Sequence, residues 1–332
     1  MEPKRVQWID AVKGVGILLV IAAHISPIGG AWFWYLTYGF MPIFFMMAGF
    51  TSKPNKDFYG SIRRKAERLL IPYFVYGLII ALLSSLIFDS TNLLQALCGL
   101  VYGRYSLYPE NPINVVPLLK GCPDICPLWF LPCMFLAYLL LIIYDTWGGK
   151  IIMFLSSVVI SILSIYKPIL FPWSLDTCFM AFLFILVGRY FKKHIGMTRK
   201  NKDILYACLF FFVYVLLCKL NPNVNFSIGR YGNFVPWSVF LFFALGVAEP
   251  LSLSYLFRFF DKTRILFLLS YFGRHSLRLM CIHVFLAHLV GLFVGGHYSG
   301  LLISWCLIIS VDAMFEFVFD KYKVKYSLLK YL

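Results

Sequence analysis

The sequence predicts an all-α integral membrane protein, a polytopic helical bundle of about ten transmembrane helices with both termini cytosolic. Three observations predict it. Of 332 residues, 61% are hydrophobic and 14% charged, against roughly 25% charged in soluble chains. The apolar residues form unbroken runs close to the ~20 residues a helix needs to cross the hydrocarbon core, without the ten-residue alternation of a membrane β-barrel. Lys and Arg gather in alternate loops. A soluble globular enzyme is thereby excluded. The excess of 30 Lys and Arg over 15 Asp and Glu, a net +15, fits cytosolic loops and anionic lipid before nucleic acid.

The first span, near 12 to 29, follows Lys4 and Arg5 as a signal peptide would. It carries polar His24 and has no clear small-residue cleavage site before the next span, so it reads as a retained helix. The second span, near 36 to 52, is rich in Phe and Met, and the third, near 69 to 88, follows the basic run from Arg63 to Arg68. Further spans fall near 127 to 144, 150 to 166, 172 to 191, 203 to 219, 234 to 255, 276 to 295 and 300 to 319. Pieces near 93 to 103 and 264 to 272 read as short interfacial or re-entrant helices.

Lys and Arg positions check that count, because a miscounted helix inverts every later loop. With the N-terminus inside, the cytosolic segments hold 23 of them and the outer loops five, namely Arg104, Lys120, Lys167, Lys219 and Arg230. Lys13 and Arg278 remain in the membrane region. No internal repeat, linker or low-complexity tail divides the chain, so residues 1–332 read as one membrane domain.

Most of the nine cysteines sit singly in apolar runs, as small hydrophobes do. Cys122 and Cys126 lie in the long outer segment and could form a disulfide on an oxidising face. No His lies in that segment to complete a zinc site, and no metal is expected.

Ionisable groups inside spans are costly and therefore candidates for function. Asp10, Lys13 and His24 share one face of the first helix, since the eleven-residue step from Lys13 to His24 misses whole turns by only about 20°. Asp10 and Lys13 can pair across one turn. His24 lies about 16 Å further along the axis from Lys13 and about 21 Å from Asp10. An imidazole placed there suits a general base served by a long substrate lying along the helix. Glu249, Asp312 and Glu316, in or near late spans, read as helix-end solvation or pairing.

Several motifs carry a resemblance. Asp10-Ala-Val-Lys13-Gly14 with His24 places ten residues between a basic residue and a histidine. The segments Pro42 to Phe50 (PIFFMMAGF) and Arg63 to Tyr73 (RRKAERLLIPY) follow, then Trp129-Phe130-Leu131, then Ser276-Leu277 with His283. In this order they resemble membrane-bound acyltransferase family 3 over most of the chain. Ala48 stands where that family usually has Ser, and Lys65-Ala66-Glu67-Arg68 stands for its Arg-x-x-Arg. Pro172-Trp173-Ser174-Leu175-Asp176 leading to Gly188, with Arg230-Tyr231-Gly232-Asn233, further resembles the fucose 4-O-acetylase-like branch.

The resemblance implies transfer of an acyl group, usually acetyl from acetyl-CoA as co-substrate, to a sugar hydroxyl of a surface polysaccharide or glycolipid precursor in a bacterial inner membrane. His24 is then the general base, with an acyl-histidine as the second option, and Asp10 orients Lys13. Lys13, Arg64, Lys65 and Arg68 are the expected cradle for the coenzyme A phosphates. Trp129, Asp176, Arg230, Asn233 and His283 are the candidates for substrate binding, with Arg230 and its neighbours able to stack on or hydrogen-bond a sugar. Expected partners are the glycan or glycolipid acceptor and membrane lipids, with a homo-oligomer admitted and nucleic acid not expected. Membrane Lys, His and Asp also serve proton-coupled transport, so a transporter or flippase for a glycan precursor is the alternative, weakened by the absence of paired repeats.

Overall fold

The computed structural model describes residues 6–25, 35, 37–54, 57–87, 92–103, 126–166, 170–197, 200–233, 235–261, 263–294 and 303–314. Among them the chain is almost wholly helical. The helices are α1 (Gln7–Ile25), α2 (Phe40–Thr51), α3 (Phe58–Ile87), α4 (Leu93–Tyr102), α5 (Phe130–Thr146), α6 (Lys150–Leu163), α7 (Cys178–Met197), α8 (Asp203–Leu220), α9 (Pro236–Phe259), α10 (Arg264–Arg274) and α11 (Ser276–Val294), followed by α12 (Ile303–Met314). The described strands are β1 (Val224–Asn225) and β2 (Arg230–Tyr231), a short antiparallel hairpin between α8 and α9.

The ten expected spans fall on α1, α2, α3, α5, α6, α7, α8, α9, α11 and α12, and the two short pieces on α4 and α10. Six helical stretches are long and apolar enough to cross a membrane: α1, α3, α7 and α8 with their preceding turns, α9 and α11. The protein is therefore a polytopic helical membrane protein. The expected disulfide cysteines, the outer cations Arg104, Lys120 and Lys167, and Glu316 lie outside the residues whose side chains are described.

Local chemistry explains the ends of the short helices. Asn92 caps α4 by accepting from the Leu94 and Gln95 amides at 2.9 and 3.3 Å, and Gly103 closes it at φ 67°. Pro236 opens α9 at a position where its missing N–H is no loss. Thr263 caps α10 through the Leu266 amide. Outward faces of α3, α6 and α8 expose apolar residues such as Leu78, Leu82, Ile151, Leu155, Phe212 and Leu216, as helices facing acyl chains do.

α2 is the centre of the bundle. Every residue from Met41 to Phe50 is buried, and twelve residues extend only about 18 Å, short of a full crossing. Glycines let its neighbours approach. A Cβ on Gly49 would lie 2.1 Å from the Ile185 carbonyl of α7, and one on Gly188 would lie 2.1 Å from the Met46 carbonyl, so α2 and α7 cross backbone to backbone. Gly14 of α1 and Gly273 of α10 make the same kind of crossing, 2.0 Å from the Leu269 carbonyl and 1.7 Å from the Asp10 carbonyl. Small residues drive such crossings in lipid, where apolar area alone gives no preference for a protein neighbour.

Several intramembrane charges find partners. Lys13 Nζ donates to Asp10 Oδ1 at 3.1 Å. Asp312 accepts from Arg278 Nε at 2.5 Å, His275 Nδ1 at 2.7 Å and the Tyr271 hydroxyl at 3.1 Å, tying α10, α11 and α12 together. Asp312 is thus a buried hub, which bears out the pairing alternative and not the solvated helix end. Glu249 is likewise buried, packed against Gly39 so closely that a Cβ there would meet its Oε2 at 1.8 Å.

Candidate active site

Two groups of candidate residues collect at opposite ends of α1. At its N-terminal end Trp8 meets Phe50 at the end of α2, with ring centroids 5.7 Å apart. Arg189 of α7 donates through Nε to Ser52 Oγ at 3.0 Å and through both terminal nitrogens to Asp145 of α5, at 2.5 and 3.1 Å. The Lys65 ammonium of α3 lies 3.5 Å from the centre of the Tyr138 ring of α5. Arg64, Arg68 and Arg189 all lie within electrostatic reach of Lys65.

The basic run entering α3 is thereby divided. Arg63 pairs with Glu67 at 2.8 Å and Arg64 with Asp57 at 3.2 Å, both on the surface. Lys65 is half-buried against Tyr138, and Arg68, itself exposed, lies within electrostatic reach of the same ring. There Asp145 is committed to Arg189, so Lys65, Arg68 and Arg189 form a concentration of positive charge larger than their carboxylate can balance. Such a cluster fits phosphate oxygens. In the sequence Arg189 is one of the 23 Lys and Arg counted to the cytosolic segments. Its pairing with Asp145 joins positions 44 residues apart, and no local spacing marks it.

Toward the other end of α1, His24 meets His283 of α11, with ring centroids 5.1 Å apart and planes at 79°. His24 Nδ1 lies 2.8 Å from the Val20 carbonyl. A carbonyl oxygen only accepts, so Nδ1 carries the proton and Nε2 keeps its lone pair in the neutral ring. The His283 Nδ1 lies 3.0 Å from the carbonyls of both Leu279 and Met280 and is fixed in the same way. His24 is exposed and His283 fully buried. Exposed His288, also on α11, lies within electrostatic reach of His24.

The remaining candidates stand around these two groups. Trp129 is buried in an aromatic core, its ring 6.4 Å from that of Phe130 and 6.1 Å from that of Phe226. The turn carrying it, Cys126–Trp129, packs on α11, the helix of His283. Asp176 is buried in the turn ahead of α7, just after Trp173 and Ser174, which hold φ of 54° and 56°. Positive φ in non-glycine residues is strained and common at functional sites. Trp173 is anchored by its indole N–H, which donates to the Val101 carbonyl of α4 at 3.0 Å.

Arg230 is half-buried in β2, opposite Asn225. Asn233 is exposed just beyond and accepts from Asn223 Nδ2 at 3.0 Å. Asp10 and Lys13 stay paired with each other along α1 from His24. No cluster of three or more metal-ligating side chains occurs among the described residues.

An imidazole with a fixed tautomer and a separate cationic cluster lie at opposite ends of one helix. A family model described as an acyltransferase domain matches residues 6–311, nearly the whole chain. No curated protein and no solved structure matches it. The chain is an acyltransferase, and it belongs to membrane-bound acyltransferase family 3.

Proposed function

We propose that the protein transfers an acetyl group from acetyl-CoA to a sugar hydroxyl of a surface polysaccharide or glycolipid precursor, with His24 as the general base. The observation that carries this reading is the hydrogen bond from His24 Nδ1 to the Val20 carbonyl, which leaves Nε2 free to accept a proton. Lys65 and Arg68 hold the coenzyme A phosphates at the N-terminal end of α1, and Arg64, bound to Asp57, contributes less. Lys13 and Asp10 lie between, where Lys13 borders the path of the pantetheine arm. The chain would lie in a bacterial inner membrane with both termini cytosolic.

In the transfer, the acceptor hydroxyl gives its proton to His24 Nε2 as its oxygen attacks the thioester carbonyl. A carbon–oxygen bond forms, the carbon–sulfur bond breaks, and the thiolate leaves to be protonated from the imidazolium. Trp129, Asp176, Arg230 and Asn233 are the groups proposed to shape the acceptor side. The likeness of residues 172–176 and 230–233 to the fucose 4-O-acetylase-like branch makes a fucose-containing glycan the first acceptor to test.

The test uses membrane vesicles from cells making the acceptor glycan, supplied with radiolabelled acetyl-CoA. Alkali-labile label in the glycan, dependent on the protein and lost in His24→Ala, supports the reading. Proton-dependent glycan movement without any ester formation would contradict it and favour the transporter alternative.

A further inference from the structure

We infer that Phe226 is a positioning residue for the glycan acceptor: it braces the hairpin between α8 and α9 against Trp129 and so holds Arg230 where a sugar hydroxyl docks. This role rests on the proposed part of Arg230 in acceptor binding. Phe226 acts through Arg230 and does not itself meet the reacting groups.

A loop between two spans is ordinarily among the more mobile parts of a protein. The segment 221–233 is built otherwise, with its turn packed into the bundle. Phe226 and Ile228 are buried there, and so is Tyr231 on β2. The Phe226 ring lies 5.8 Å from that of Phe45 on α2, 6.2 Å from that of Phe184 on α7 and 5.3 Å from that of Phe242 on α9. One side chain of the hairpin thus meets three helices, and the edge-to-face and tilted contacts among these rings favour a single seating. Tyr231 adds a second hold on α9, its ring stacked on that of Phe242 at 5.3 Å.

The neck of the hairpin is fixed by hydrogen bonds. Buried Asn221 donates from Nδ2 to the Tyr231 carbonyl at 2.8 Å and to the Ser238 carbonyl of α9 at 3.3 Å. Gly232 holds φ 135° beside it, where a Cβ would stand 2.0 Å from Asn221 Oδ1, so glycine is needed for the chain to pass. The Asn223 amide donates to the Tyr38 hydroxyl at 3.2 Å, and its side chain donates to Asn233 at 3.0 Å.

Trp129 is the abutment. Its ring meets that of Phe226 edge to face at 6.1 Å, and the turn that carries it packs on α11, where the His283 ring neighbours that of His24. Arg230 stands four residues beyond Phe226 and pairs with Asn225 in the ladder, so the seating of Phe226 sets the height of the guanidinium. Arg230 is half-buried and hence restricted in its reach. A guanidinium held in place selects among sugar hydroxyls by position, which a freely moving one does not.

The experiment uses purified protein in nanodiscs, radiolabelled acetyl-CoA and graded amounts of glycan extracted from cells lacking the gene, with rates normalised to folded protein. Phe226→Leu keeps the core apolar but loses the ring contact with Trp129. It should raise the KM for the glycan about 10-fold, the scale of one misplaced hydrogen bond from a charged group, and leave the KM for acetyl-CoA unchanged. Arg230→Gln should raise the glycan KM at least as much. Because Phe226 acts through Arg230, adding Phe226→Leu to Arg230→Gln should cost little more. A wild-type glycan KM in Phe226→Leu, a rise in both KM values together, or losses that multiply in the double variant would overturn the inference.

A second measurement needs no variant. Amide hydrogen exchange of the wild-type protein with and without the same glycan should show added protection within 223–233. Protection elsewhere with none in the hairpin would overturn the inference, since a hairpin that does not meet the glycan has nothing to position. Absence of acetyl transfer to this glycan by the wild type would contradict the function itself, whereas transfer that ignores Phe226 removes only the part assigned to the hairpin.

Discussion

The Lys65 ammonium sits 3.5 Å from the centre of the Tyr138 ring, and Arg68 and Arg189 share its surroundings. A cation–π contact stabilises the ammonium without neutralising it, so the charge remains available to an anion. The same run of sequence supplies Arg63 and Arg64, which are paired to Glu67 and Asp57 at the surface. The fold thus separates two cations paired at the surface from Lys65, which is half-buried against Tyr138, and from Arg68 beside it.

Lys65→Ala and Arg68→Ala should each weaken coenzyme A binding about 10-fold or more, with kcat at saturating donor less affected. Arg63→Ala, at an exposed position, should leave affinity unchanged. Competition by coenzyme A against labelled acetyl-CoA measures both. Equal affinity in all three variants, with only expression altered, would assign the whole run to topology.

Removing one partner of the Arg189–Asp145 pair should destabilise the protein by about 3 kcal/mol, since both side chains are largely buried and the fork would be left unpaired. Asp145→Asn should lower the thermal midpoint of the purified protein and free the Ser52 contact of Arg189. A midpoint within error of wild type would show that the pair contributes nothing beyond solvation.

Gly14→Ala tests the helix crossing. Its Cβ would stand 2.0 Å from the Leu269 carbonyl oxygen, backbone that cannot yield, so α1 and α10 must move apart. A loss of about 1–3 kcal/mol is expected, with transfer reduced because His24 rides on α1. Gly148→Ala, where a Cβ meets nothing within 4 Å, is the control and should behave as wild type. Similar midpoints for the two variants would contradict the close crossing.

Much of this architecture is legible in the sequence. The long apolar runs mark α1, α3, α7, α8, α9 and α11, because a span must be apolar for its whole length. The short helices α4 and α10 also stand out, bounded by Asn92, Gly103 and Thr263. Spacing along one helix brings out Asp10, Lys13 and His24. The meeting of His24 with His283 and of Lys65 with Tyr138 joins residues far apart in the chain, which periodicity does not report. Arg189 and Asp312 were hidden for the same reason, as a cation among loop cations and an acid in a late helix. The shortness of α2 is masked by apolar residues on both sides of it.

The central claim is that His24 is the base of an O-acetyl transfer to a surface glycan. It is tested most directly on polysaccharide from matched cells carrying the wild-type gene, His24→Ala or a deletion, analysed by NMR and mass for ester groups. Removing a general base should lower transfer about 10²- to 10⁴-fold. The account predicts an O-acetyl ester in the wild type, its loss in both other strains, and an intact glycan backbone throughout. Retained ester in cells with folded His24→Ala protein, or a truncated glycan that keeps its ester in the deletion strain, would contradict it.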